Sequence, residues 1–299
     1  MSRLAQVLLI LLLLLAVSYA AASLMEKGSL GMDKIAVIPV TGSIMIGGYE
    51  GFITEGISPD IILEKLKEAE DDKSVKGVII ELNTGGGTAV GSKEIADAVK
   101  KLKKKKPVVA LIRDIGASGG YWIASSADKV VADPLSLTGS IGVLGSYLQF
   151  SGLFDKYGVE YERLVGGKYK DMGMPFKELT DEERALLQKS IDKAHDYFIK
   201  DVAANRKLDV DEVRRLATGE PFLGIEAKEL GLVDELGNMD TAVNITKQLA
   251  GIKDASVVRM EDRGSLFNLF SGFSSKAAYY MGRGIGAELK TDEGLLIRA

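Results

Sequence analysis

The sequence predicts an α/β protein whose core is a parallel sheet covered by helices on both faces. Short β-rich apolar runs alternate with segments of helical period. The runs are apolar almost without interruption, as strands buried on both faces must be. Glycine, proline and serine mark the junctions.

The first strand is residues 34–40, KIAVIPV. Residues 42–56 are Gly-rich and carry Met45, Ile46, Tyr49, Phe52 and Ile53 in neither period, so a loop with an apolar side is expected. Ser58-Pro59 then supplies an N-cap and first-turn pair for a helix with the stripe Ile61, Ile62, Leu66 and Ala69. The order repeats with a strand at 77–83, a helix at 92–102, a strand at 107–112, a helix at 118–126 and a strand at 129–132. Thr180 and Glu183 form a capping box that opens a long helix carrying Leu187, Ile191, Phe198 and Val202. Another helix is expected over 210–217, and a loose polar tail at the carboxyl end.

Residues 4–22 carry no charge and follow Arg3. That length spans a hydrocarbon core of about 30 Å at about 1.5 Å per residue. The expectation is an uncleaved anchor with its N-terminus cytoplasmic and the rest of the chain outside, although Ala20-Ala21-Ala22 also suits signal-peptide cleavage. The domain plan is therefore an anchor at 1–24, a tether at 25–33, the main domain at 34–255 and a tail at 256–299.

Composition excludes more than it selects. With 38 Lys and Arg against 42 Asp and Glu, the net charge of −4 gives no support for a nucleic-acid partner. The chain has no cysteine, which removes thiol nucleophiles, disulfides and thiolate metal sites. Its single histidine, His195, argues against a His-based metal site. No metal or cofactor is called for.

Gly116-Ala-Ser-Gly-Gly120 sets Ser118 between glycines, after an apolar strand and before a helix. Such a turn presents the hydroxyl at the carboxyl end of the sheet, beside the free N–H groups of a helix start. A plain N-cap serine fits the same pentapeptide. The preceding strand also ends in glycines, Asn83-Thr-Gly-Gly-Gly, whose backbone could approach a substrate carbonyl and donate to an oxyanion. A serine hydroxyl needs a base. His195 lies inside a helical stretch, and a lysine can serve if burial disfavours its ammonium form. The residues alone do not choose among the lysines.

Five motifs carry a resemblance that does choose: Asn83-Thr-Gly-Gly-Gly, Gly116-Ala-Ser-Gly-Gly-Tyr-Trp, Ala127-Asp-Lys, Leu137-Thr-Gly-Ser-Ile-Gly-Val143 and Lys168-Tyr-Lys-Asp171. In order and approximate spacing they resemble the signal peptide peptidase A family, in its short form with one catalytic unit. The resemblance implies a ClpP/crotonase-like spiral of βαβ units. It implies Ser118 as nucleophile, Lys170 as general base and Ser140 as the residue orienting that lysine. Gly119 with Gly86 or Gly87 would form the oxyanion hole. It also implies a homo-oligomeric ring whose active sites are shared between protomers. Thr84-Gly85 departs from the family, where Ser-Pro is common before the paired glycines, which puts the rigidity of that loop in question. The expected activity is endopeptidase cleavage of membrane-associated peptides such as remnant signal peptides. A crotonase-like acyl-CoA enzyme and a non-enzymatic membrane scaffold are the rival readings.

Overall fold

Successive side chains of a strand point to opposite faces of its sheet, and here both sets are apolar. In β1 (Lys34–Thr41), β4 (Val75–Thr84) and β5 (Val108–Ala117) one face presents Ile38, Val40, Ile80, Leu82, Ala110 and Ile112. The other presents Ile35, Val37, Ile79, Val109 and Leu111. The computed structural model describes residues 13, 17, 32–46 and 56–260. With β6 (Lys129–Ala132), β9 (Glu235–Leu236) and β10 (Ser256–Arg259), these strands form a parallel path in the order β10-β1-β4-β5-β6-β9.

Helices α1 (Pro59–Asp71), α2 (Ala89–Leu102) and α3 (Gly119–Ser125) make the crossovers and pack on the first face. The next two helices are α4 (Ser151–Tyr157) and α5 (Asp181–Arg206), and α5 adds Phe198 and Val202 to that core. α6 (Val210–Leu216) and α7 (Gly224–Glu229) follow, and α8 (Met239–Ala250) covers the second face through Ala242. This parallel-rich α/β architecture fits a ClpP-like core.

Three details differ from the sequence expectations. β5 does not stop at Ile112 but runs on to Ala117. β6 pairs with it only over Val109–Ile112, after which β7 (Leu137–Gly139) takes over at Ile115–Ala117, so the extended backbone keeps its hydrogen-bond partners. The main domain does not end at residue 255 either. β10 pairs with the far edge of β1, and Met260 N–H still bonds the Val37 carbonyl, so the compact unit reaches Met260. Lastly, the buried apolar residues of α5 all lie in its second half, from Phe198 to Ala203, while Leu187 and Ile191 are only partly buried.

Of the expected anchor, all but Leu13 and Val17, which are helical and exposed, lies outside the described residues. So do most of the tether, residues 47–55 of the Gly-rich loop, and the tail from 261 on. Among the described residues no helix is long and apolar enough to cross a membrane.

Candidate active site

The carboxyl ends of β4 and β5 lie side by side, with Thr84 in register with Gly116. Beyond them the two glycine clusters meet backbone to backbone. A Cβ on Gly86 would come within 2.5 Å of the Gly119 nitrogen and 3.1 Å of Ser118 Cβ. Gly86 also sits at φ +98°, where side chains are strained. A Cβ on Gly87 would strike the Ile44 carbonyl at 2.0 Å, and one on Gly119 would strike Ser92 Oγ at 2.1 Å. Only glycine permits this approach.

Ser118 occupies the N-cap position of α3 at φ 52° and ψ −120°. For a residue with a Cβ such a conformation costs on the order of 1–3 kcal/mol, and it persists only where its surroundings impose it. They do so here. Ser118 N–H donates to the Gly139 carbonyl (2.8 Å), and its own carbonyl accepts from Trp122 N–H (2.9 Å), starting the helix. Its side chain makes no capping bond, which separates it from an ordinary N-cap serine. α3 is buried along its whole length. Trp122 stacks on Phe198 at 4.3 Å and its ring N–H donates to Asp201 (2.6 Å), while the Tyr121 hydroxyl donates to the Leu232 carbonyl (2.9 Å). Burial pushes the Tyr121 phenol well above its ordinary range, so it stays a neutral donor.

The two proposed oxyanion partners on the β4 side are not equivalent. Gly86 N–H already donates to Thr84 Oγ1 (3.1 Å). Among the described residues, no acceptor is bonded to Gly87 N–H, nor to the N–H of Gly119 at the first position of α3.

Ser140 follows β7 at φ 50°. Pairing of Ala117 with Gly139 brings it to the Ser118 turn. Its hydroxyl donates to the Gly219 carbonyl (3.0 Å), which leaves its lone pairs open to a donor. His195 lies on α5 with a ring nitrogen 3.3 Å from the Ile141 carbonyl, and among the described residues no hydrogen bond joins it to Ser118.

Lys170 lies between α4 and α5. It sits in an exposed turn, and among the described residues no hydrogen bond or ion pair joins it to Ser118 or Ser140. The turn itself is held firmly. The Arg163 guanidinium grips Asp171 at 2.5 and 2.9 Å and also reaches the Lys168 carbonyl, while Lys177 bridges Asp171 (3.7 Å) to Glu183 (2.6 Å) at the start of α5. Arg163 holds the Asp171 carboxyl below its ordinary range, and Lys177 does the same for Glu183. Among the described residues no group of acidic residues and histidine is arranged to hold a metal.

Sequence reasoning noted Thr84 only as a departure from the family pattern and gave Ser92 no role, yet both side chains are fully or almost fully buried against the glycines. Their further signal was position, Thr84 before the run Gly85–Gly87 and Ser92 after the single Gly91.

Residues 100–253 match the model of Peptidase family S49. A protein of Methanocaldococcus jannaschii that carries a protease name by inference is 34% identical over 94% of this chain and 92% of its own length. An Enterococcus faecium protein, named by inference a signal peptide peptidase A, is 36% identical over 80% of this chain and 70% of its own. The chloroplast serine protease SPPA of Arabidopsis thaliana is 34% identical over 87% of this chain, which spans only 40% of the plant protein.

Proposed function

Because the chain belongs to peptidase family S49 and is a serine peptidase of the signal peptide peptidase A type, we propose that it works through a Ser118/Lys170 dyad completed between protomers. The observation that carries this reading is Ser118 itself. It is strained, its side chain makes no capping bond, and it is followed by Gly119, whose N–H is uncommitted, with Gly86 packed against it. Ser118 Oγ attacks the scissile carbonyl as Lys170 accepts its proton, and the oxyanion collects on the Gly87 and Gly119 N–H groups. Lys170 then protonates the leaving amine, and a water activated by the same lysine hydrolyses the acyl-enzyme. Ser140 accepts from the lysine and fixes its direction.

The exposure of Lys170 on a segment rich in exposed apolar side chains supports a base supplied by a neighbouring copy in a ring. The substrates we propose are membrane-associated peptides such as signal-peptide remnants, met outside the cytoplasm by an enzyme anchored through residues 4–22. Membership of a peptidase family displaces the acyl-CoA and scaffold readings.

A fluorophosphonate probe applied to carbonate-washed membranes tests both parts. The full-length chain is expected to be labelled and retained there, with no label on Ser118→Ala. Label on that variant would dismiss the nucleophile, and labelled protein in the wash would dismiss the anchor.

A further inference from the structure

We infer that Thr84 is a positioning residue that sets the oxyanion loop, acting through Gly86 and never touching the substrate; this rests on the serine-peptidase reading of the Ser118 site. Thr84 is the last residue of β4 and is 1% exposed. Its hydroxyl has one proton and can also accept. The Gly42 carbonyl lies at 2.5 Å and the Gly86 carbonyl at 3.4 Å, so the proton goes to Gly42. A lone pair then accepts the Gly86 N–H at 3.1 Å. Its methyl and carbonyl press on the helix start, because a Cβ on Gly120 would meet Thr84 Cγ2 at 2.9 Å and its carbonyl oxygen at 2.8 Å.

One side chain therefore joins the turn after β1, the glycine loop after β4 and the first turn of α3. The loop is gripped from its other side by β2 (Ser43–Ile44). Ile44 N–H donates to the Gly86 carbonyl (3.0 Å) and Thr88 N–H to the Ile44 carbonyl (2.8 Å). Gly86 is thus bonded through both its N–H and its carbonyl, so of the two candidate donors Gly87 is the one whose N–H has no acceptor among the described residues. A run of three glycines is by itself the least constrained backbone a chain can have. Here the hydroxyl of Thr84, beside that run, removes the freedom and selects which N–H faces the reacting carbonyl. Donors of this kind stabilise charge only when they are already in place as it develops.

The test compares Thr84→Val, which keeps the shape and loses the hydroxyl, with Thr84→Ser, which keeps the hydroxyl, both in the full-length membrane enzyme. Thr84→Val is expected to lower kcat by about 10- to 100-fold, the scale of a slightly misplaced reacting group, with KM within a few-fold. Thr84→Ser should restore kcat to within a few-fold of wild type. A peptide boronate, which places an oxyanion in the hole, should lose affinity for Thr84→Val in step with kcat. Equal kcat in Thr84→Val and wild type would overturn the inference. So would a Thr84→Ser as slow as Thr84→Val, or a boronate bound equally by all three. Ser118→Ala separates the two levels. If it retains turnover the serine-peptidase reading fails, whereas an inactive Ser118→Ala beside an unimpaired Thr84→Val removes only the role of Thr84.

Discussion

At the scale of single residues the site is assembled by what neighbours forbid. Gly86, Gly87 and Gly119 cannot carry a side chain without striking backbone or Ser92, and that crowding is what lets the glycine loop after β4 approach the Ser118 turn. Ser118 accepts a strained φ because strand pairing on one side and a buried helix on the other leave it no alternative. The base we propose, Lys170, would be subject to a chemical restriction of another kind, since a base must lose its proton to work. Lys170→Arg keeps the positive charge and much of the length, but a guanidinium stays protonated at any usable pH. It is expected to reduce peptide hydrolysis to the level of Lys170→Ala, measured as turnover of a signal-like peptide. Substantial turnover by the arginine variant would remove Lys170 from the role of base.

Elements are held to one another by a few charged contacts at their ends. Asp234 precedes β9 and accepts from Val130 N–H (2.7 Å), Arg206 (2.7 Å) and Lys129 (3.2 Å), tying the start of β6 to the end of α5. Burial alone would raise its pKa, but the Arg206 guanidinium and the Val130 N–H outweigh it and hold the carboxyl below its ordinary range. The folded-state pKa is depressed, so the stabilisation is present above the unfolded value of about 3.9 and is lost as pH falls through the lower folded value. Asp234→Asn is expected to cost about 1–2 kcal/mol near neutrality, below the figure for a fully buried pair, because Asp234 is partly exposed and Arg206 keeps the Gly231 carbonyl as a partner. Denaturant unfolding from pH 7 down to pH 2.5 should show the two proteins converging at the acid end. A gap independent of pH would mean that the ion pair is not its cause.

At the scale of the molecule, among the described residues the segment from Leu144 to Leu164 stands with little cover. Leu144, Leu148, Tyr157 and Leu164 are 84, 74, 70 and 94% exposed, and α4 buries nothing. Exposed apolar side chains concentrated in one segment mark an interaction surface, and Lys170 follows them in the chain. A closed ring of identical protomers would cover this segment and carry each lysine to the next Ser118. Mixing inactive Ser118→Ala with inactive Lys170→Ala under conditions of subunit exchange should then restore activity. Roughly a quarter of the head-to-tail interfaces in a random hybrid ring would pair an intact serine with an intact lysine. Verified mixed oligomers that stay inactive would place the dyad within one chain.

By itself the sequence determined the class of fold, the alternation of strands and helices from residue 34 to 132, the long helix after Thr180 and the one over 210–217, the serine turn and the glycine runs, but not the other short strands and helices that follow residue 132. Each of these is a local matter of period, turn chemistry and side-chain type. The stripe through Phe198 and Val202 and the capping box at Thr180 were equally legible, since a helix states its buried face and its first turn within a few residues. Only the tertiary structure decided that β5 changes partner from β6 to β7, which brings Ser140 to Ser118 from outside the reach of any local rule. It also decided that Thr84 occupies Gly86 and leaves Gly87 free, and that Lys170 stands exposed on a turn pinned by Arg163 and Lys177. Register, backbone approach and the allocation of a single hydroxyl proton depend on which distant segments meet, and the chain's local preferences do not encode that.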